Sequence, residues 1–71
     1  MKTHKVLNVE CKGYWFECIE TEGKDDPFTL YLVWWNQGKH RKQMMKSKSI
    51  SEVLTRLAKA YDIIDKEVVN G

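Results

Sequence analysis

Two segments near the start of the chain alternate apolar and polar residues with a period of two. They cover residues 5–11 and 14–20, and the glycine of the intervening Lys12-Gly13 pair suits the second position of a type I′ turn. Lysine is an unusual first turn residue, so a bulged turn that shifts the register by one stays open as an alternative. Without that shift, the pairing gives one apolar face made of Leu7, Val9, Cys11, Tyr14, Phe16 and Cys18. The pattern predicts a β-hairpin with one buried face.

Two more strands are predicted after a loop. Residues 21–27 hold a glycine and the only proline of the chain, a composition typical of a loop. Residues 28–35 then read Phe-Thr-Leu-Tyr-Leu-Val-Trp-Trp, which predicts a strand with two apolar faces. The Asn-Gln-Gly triplet at 36–38 is a turn signal, and we expect residues 39–46 to return as a fourth, antiparallel strand.

The remaining segment has the pattern of an amphipathic helix. Ser49-Ile50-Ser51-Glu52 has the form of a capping box, in which the first serine hydroxyl and the glutamate carboxylate bond free backbone donors. Apolar residues then recur at spacings of three and four, at Ile50, Val53, Leu54, Leu57, Tyr61 and Ile64. The predicted fold is a two-layer α+β domain over residues 1–71. It has a four-stranded antiparallel meander and one C-terminal helix, about residues 50–64, packed on one sheet face.

Length and composition agree with a small folded domain. The chain has 71 residues and a mass of 8.4 kDa, with 42% apolar and 31% charged residues, which is too apolar for a disordered chain. Its longest apolar run, Leu30 to Trp35, is far shorter than the roughly 20 residues of a membrane-spanning helix. The first residues lack the hydrophobic stretch of a signal peptide. We therefore expect a cytoplasmic protein without membrane contacts.

The charged residues are segregated, although the net charge is only +2. Residues 17–26 carry five acidic residues and one lysine, whereas residues 39–48 carry five basic residues and no acidic one. This separation predicts an electrostatic dipole. Two interpretations stay open, namely solvated hairpin ends that keep the protein soluble and a surface that binds a charged partner.

The sequence does not indicate catalytic or metal chemistry. His4 and His40 are the only histidines, one near the amino terminus and one in a basic turn, where a lone histidine is usually a solvated residue. In the predicted hairpin, four residues of strand separate Cys11 from Cys18, on the order of 13 Å, which is too far for a disulfide. We expect both cysteines to be reduced and buried, and we expect no enzymatic activity, no metal and no cofactor.

One sheet face is left without a cover by a single helix. It carries Trp15, Tyr31, Val33 and Trp35, and the fourth strand adds either His40, Lys42 and Met44 or Arg41, Gln43 and Met45, depending on the turn length. Aromatic rings stack on bases and cations neutralise phosphates, so this mixture is typical of nucleic-acid binding. The candidate binding residues are Trp15, Tyr31, Trp35, Lys39, Arg41, Lys42, Gln43 and Lys46.

The same residue types are enriched in protein interfaces. A protein-binding module, such as a small inhibitor or adaptor of a host protein, is therefore an alternative. A homodimer that covers the aromatic residues is another.

A family resemblance favours DNA. Within residues 28–61, the stretch LYLVWWNQGKHRKQMMKSKSISEVLTRLAKAY has an aromatic strand, a Gly-Lys turn, a basic strand and a short amphipathic helix. It resembles the arm-type DNA-binding domains of tyrosine integrases and their plant relatives, although Met44-Met45 replaces further basic residues and an extra hairpin precedes the match. The resemblance implies a three-stranded sheet in the major groove, with DNA contacts from Arg41, Lys42, Gln43 and Lys46 and with Trp35 nearby. The leading hypothesis is a DNA-binding accessory protein of a prophage or mobile element.

Overall fold

The computed structural model describes residues 2–69, which form four strands and one helix. The elements are β1 (Thr3–Cys11), β2 (Tyr14–Thr21), β3 (Phe28–Trp35), β4 (Lys39–Ser47) and α1 (Ile50–Val69). The strands form one antiparallel sheet in the order β1-β2-β3-β4, and α1 packs on one of its faces. This confirms the predicted α+β fold, with a helix that runs five residues beyond the predicted end at 64.

The first hairpin has the predicted turn and register. Lys12 and Gly13 both have positive φ angles, 51° and 87°, as a type I′ turn requires. Cys11 faces Tyr14, and further along Leu7 faces Cys18. The register shifts only beyond that point, where a bulge between Lys5 and Leu7 leaves an extra residue in β1.

A second bulge lies in β4 and decides which of its residues share a face. Tyr31 faces Gln43 whereas Leu30 faces Met45, so Met44 is the extra residue. Up to Gln43 the odd-numbered residues of β4 lie on the face of Tyr31, and beyond the bulge Met45 lies on the face of Leu30. Both methionines are partly buried against the core as a result.

The core lies between α1 and the sheet. Its buried members are Cys11, Phe16, Cys18, Leu30, Val53, Leu57 and Ala60. On the helix, Ile50, Val53, Leu57, Ala60 and Ile64 face the core, a stripe with alternating steps of three and four. The prediction that Leu54 and Tyr61 belong to this stripe is wrong, because both are exposed. They lie one position to its side, and the small Ala60 takes the contact instead.

The hydrogen bonds at the start of α1 differ from the predicted capping box. The Ser49 carbonyl accepts the Val53 N–H at 3.4 Å, which makes Ser49 the residue that precedes the helix. Its own N–H donates to Ser47 Oγ at 3.0 Å, and that hydroxyl donates to Glu52 Oε2 at 2.8 Å. The glutamate therefore reaches back through a buried serine of β4 and ties the helix to the sheet.

The helix crosses the sheet diagonally. It begins directly after the end of β4, at one corner of the sheet. Toward its other end, Cys11 Sγ donates to the Tyr61 carbonyl at 3.9 Å, and Lys12 Nζ lies 3.6 Å from Asp65 Oδ1, beside the β1–β2 turn. The β3–β4 turn occupies a different corner, and residues 39–43 next to it are all exposed.

Candidate nucleic-acid interface

Val33 lies at the centre of the sheet face that α1 does not cover, which we call the outer face. Its direct cross-strand neighbours are Trp15 on β2 and Arg41 on β4, and Tyr31 and Trp35 lie two residues away along β3. These four large side chains surround it, and Val33 is only 1% exposed. The expectation that Val33 is an uncovered apolar residue is therefore wrong. The side chains of the outer face therefore cover the residue at its centre.

The side chains around Val33 form a layer of rings and cations. The Trp15 and Trp35 rings meet edge to face, with centroids 5.0 Å apart and an interplanar angle of 61°. The Arg41 guanidinium carbon lies 4.3 Å from the Tyr31 ring centroid, and Lys39 Nζ lies 5.6 Å from a ring centroid of Trp35. Trp35 is nevertheless 57% exposed, so much of its ring is open to a ligand.

Seven of the eight candidate residues share the outer face, namely Trp15, Tyr31, Trp35, Lys39, Arg41, Gln43 and Lys46. Lys46 returns to this face because the bulge at Met44 places it opposite Thr29. Lys42 is the exception. It faces Leu32 and so lies on the helix side of the sheet, apart from the other seven.

The helix side of the same hairpin carries a second group that the sequence reasoning missed. The rings of Trp34 and His40 stack with centroids 5.5 Å apart and planes at 18°, and Tyr14 lies beside Trp34 at 6.4 Å. His40 Nε2 donates to the Asn36 carbonyl at 2.9 Å, since a carbonyl oxygen can only accept. The sequence signal for this group is the length of the turn at residues 36–38, because a three-residue turn pairs Trp34 with His40 across the hairpin.

The ion pairs among the described residues lie away from β4. Within residues 2–66, the ion pairs join Lys5 to Glu17 at 3.2 Å, Lys12 to Asp65 at 3.6 Å and Lys66 to Asp62 at 3.2 Å, and His4 Nε2 lies 3.0 Å from Glu20 Oε1. In that range, the basic side chains of β4 have no carboxylate within 4 Å. Positive charge is therefore concentrated along one edge strand of the sheet.

The described residues offer little for other chemistry. They contain neither a pocket nor a group of three potential metal ligands. Cys11 and Cys18 are free and buried, as predicted. Burial raises the pKa of the Cys18 thiol, and the negative charge of Glu20 raises it further, so this thiol is a weak nucleophile. Within residues 2–69, a helix with the length and apolar character needed to span a membrane is absent.

Comparisons with models of protein families, with curated proteins and with solved structures return no match to this chain.

Proposed function

We propose that this protein is a non-enzymatic DNA-binding protein that uses its outer face. One observation carries the proposal. The basic side chains of β4 lack carboxylate partners among the described residues, and they lie directly beside an exposed aromatic layer. Cations neutralise phosphates and flat rings stack on bases, so the face offers both types of contact that a nucleic acid accepts.

The aromatic layer is held in place before any ligand binds. Trp15 meets the edge of Trp35, and Arg41 lies across Tyr31. Because these side chains already pack around Val33, binding would order few additional rotamers. Stacking of one base on the exposed ring of Trp35 would contribute about 1–3 kcal/mol.

The basic side chains supply the sequence-independent part of the affinity. Lys39, Arg41 and Lys46 lie on the outer face along β4, with the neutral amide of Gln43 between them. Each phosphate contact with duplex DNA adds about 0.9 to the magnitude of the salt slope. Between 1 M salt, where this contribution is taken as zero, and 0.1 M salt, one contact therefore raises the affinity about eightfold. Lys5 meanwhile pairs with Glu17 on the β1 side of the same face, which reduces repulsion of phosphates there.

The proposal extends the resemblance of residues 28–61 to integrase arm-type domains. The assignment to a prophage or mobile element rests on that resemblance. A small accessory protein of such an element would bind DNA without catalysing strand exchange.

The test is the binding of a fluorescein-labelled DNA duplex, measured by fluorescence anisotropy at 50–100 mM salt. We expect Arg41→Glu to weaken binding by at least about eightfold at 0.1 M salt. Lys59→Glu is the matched control, because it makes the same charge change at an exposed position of α1. It should change the affinity much less. Failure of the unmodified protein to bind duplex DNA, single-stranded DNA and RNA would overturn the proposal.

A protein interface is the second candidate, and the exposure of Trp35 favours it. Tryptophan beside arginine is the typical composition of an interface hot spot. Either a host protein or a second copy of this chain could cover the outer face. Light scattering at low and high salt separates the two, since a dimer held by Trp35 would persist at high salt and dissociate in Trp35→Ala.

A further inference from the structure

The sheet is open, and β1 forms one of its two edges. We propose that two copies of this chain pair their β1 strands antiparallel about a two-fold axis at Asn8, which joins the two sheets into one sheet of eight strands. This dimer leaves the outer face and β4 free. It therefore differs from a dimer that covers Trp35, and it does not depend on DNA binding. The partner is a second copy because the β1 edge complements itself in hydrogen bonds, apolar contacts and charge.

The first argument is the direction of the backbone groups in β1. Cys11 and Tyr14 close the two-residue turn as a hydrogen-bonded pair, and such pairs alternate with non-bonded pairs along an antiparallel ladder. Counting back from Cys11, Val9 bonds β2, whereas the N–H and C=O groups of Asn8 and Glu10 point to the open edge. Pairing Asn8 with Asn8 of the second copy satisfies both groups in each chain, as an isologous contact requires.

The second argument is the match of side chains across the axis. With Asn8 opposite Asn8, Val9 lies directly opposite Leu7 of the second copy. The two form a non-hydrogen-bonded pair, in which side chains approach each other most closely. Val9 and Leu7 both lie on the helix side of the sheet and are partly buried against the core. The paired strands therefore extend the apolar core of each copy across the edge.

The third argument is an exposed aromatic residue on the flank of α1 that faces β1. Tyr61 is 39% exposed and lies four residues before Asp65, so the two side chains share one flank of the helix. Asp65 is paired with Lys12 in the β1–β2 turn, and Cys11 Sγ of β1 donates to the Tyr61 carbonyl. The Tyr61 ring thus adds apolar surface on the side where the second copy would lie.

The fourth argument is charge. Lys5 is paired with Glu17 at 3.2 Å, so this cation of β1 is neutralised within its own chain. In the paired arrangement, Glu10 lies beside Lys5 of the second copy on the outer face, which adds an attraction between the copies. The β4 edge is unsuitable for the same pairing. Residues 39–43 are exposed and include three basic side chains, and charges on an edge strand oppose pairing.

Asn8→Asp tests the arrangement, because it places two carboxylates directly opposite each other at the axis. Asn8 is exposed, so the fold of each copy should tolerate the change, and far-UV circular dichroism checks this. Asn8→Ser is the matched control, since it keeps a neutral polar side chain at the same position. Sedimentation equilibrium from micromolar to millimolar protein measures the mass. Amide hydrogen exchange of the unmodified protein, at concentrations that favour monomer and dimer, shows which strand is paired.

We expect the unmodified protein and Asn8→Ser to reach twice the monomer mass of 8.4 kDa, and Asn8→Asp to dimerise at least about tenfold more weakly. The Glu10 amide should exchange at least about tenfold more slowly in the dimer than in the monomer, whereas the Val9 amide is protected by β2 in both. A monomer at every concentration would overturn the proposal. A dimer with a freely exchanging Glu10 amide, or one that Trp35→Ala dissociates and Asn8→Asp does not, would overturn it as well.

Discussion

Replacing Val33 with alanine tests whether the outer face is a packed layer. Val33 is 1% exposed although α1 lies on the opposite side of the sheet. The change removes the equivalent of two CH2 groups at about 0.8 kcal/mol each, and the cavity that remains adds to the cost. We expect a loss of about 2 kcal/mol in the free energy of unfolding. For a domain of this size, that corresponds to a fall in Tm of roughly 8–16 °C.

Val6→Ala is the matched control for Val33→Ala. Val6 is also a valine in a strand of the same sheet, but it lies at the bulge of β1 and is 43% exposed. Its replacement should cost less than about 0.5 kcal/mol. Urea unfolding followed by circular dichroism and by tryptophan fluorescence measures both variants. Equal losses in the two variants would refute the idea that the side chains around Val33 bury it.

Two further predictions concern the core and the helix start. Because burial raises the pKa of the Cys18 thiol, the unfolded chain ionises first as the pH rises. The stability that this thiol contributes should be complete below the unfolded pKa of about 8.5 and should decline above it. Urea unfolding between pH 7 and 10 should therefore show a steeper alkaline loss in the unmodified protein than in Cys18→Ala, and equal slopes would contradict the prediction. Ser47→Ala removes the hydroxyl that joins the Ser49 N–H to Glu52 and should cost about 1 kcal/mol. Ser51→Ala, at an exposed hydroxyl of the same helix start, should cost clearly less, and similar melting temperatures for the two variants would argue against the buried link.

The sequence predicted the architecture because each element has a strong local signal. Period-two alternation and the Lys12-Gly13 turn defined the first hairpin, and the register followed from the turn length. The apolar spacing after Ser49 defined the helix. Such signals depend on neighbouring residues, which is why they could be found without tertiary information.

The sequence-based predictions failed where tertiary contacts determine whether a residue is buried and which face it lies on. The three-residue turn places Lys42 on the helix side, and the bulge at Met44 returns Lys46 to the outer face. Neither can be fixed from the alternation within β4. Val33 is buried by side chains from three strands. The pattern of apolar and polar residues within one strand does not indicate such burial. The position of Leu54 outside the core depends on how α1 is rotated against the sheet.

The central claim is that the cations of β4 bind phosphate. Its most direct test is the salt dependence of binding to a DNA duplex, measured by fluorescence anisotropy with the unmodified protein. Three contacts on the outer face, from Lys39, Arg41 and Lys46, predict a slope of log K against log salt of about −2.7, because each contributes about −0.9. A slope between about −2 and −3.5 is the result that the account predicts. Absence of binding at 50 mM salt, or a slope near zero, would contradict it.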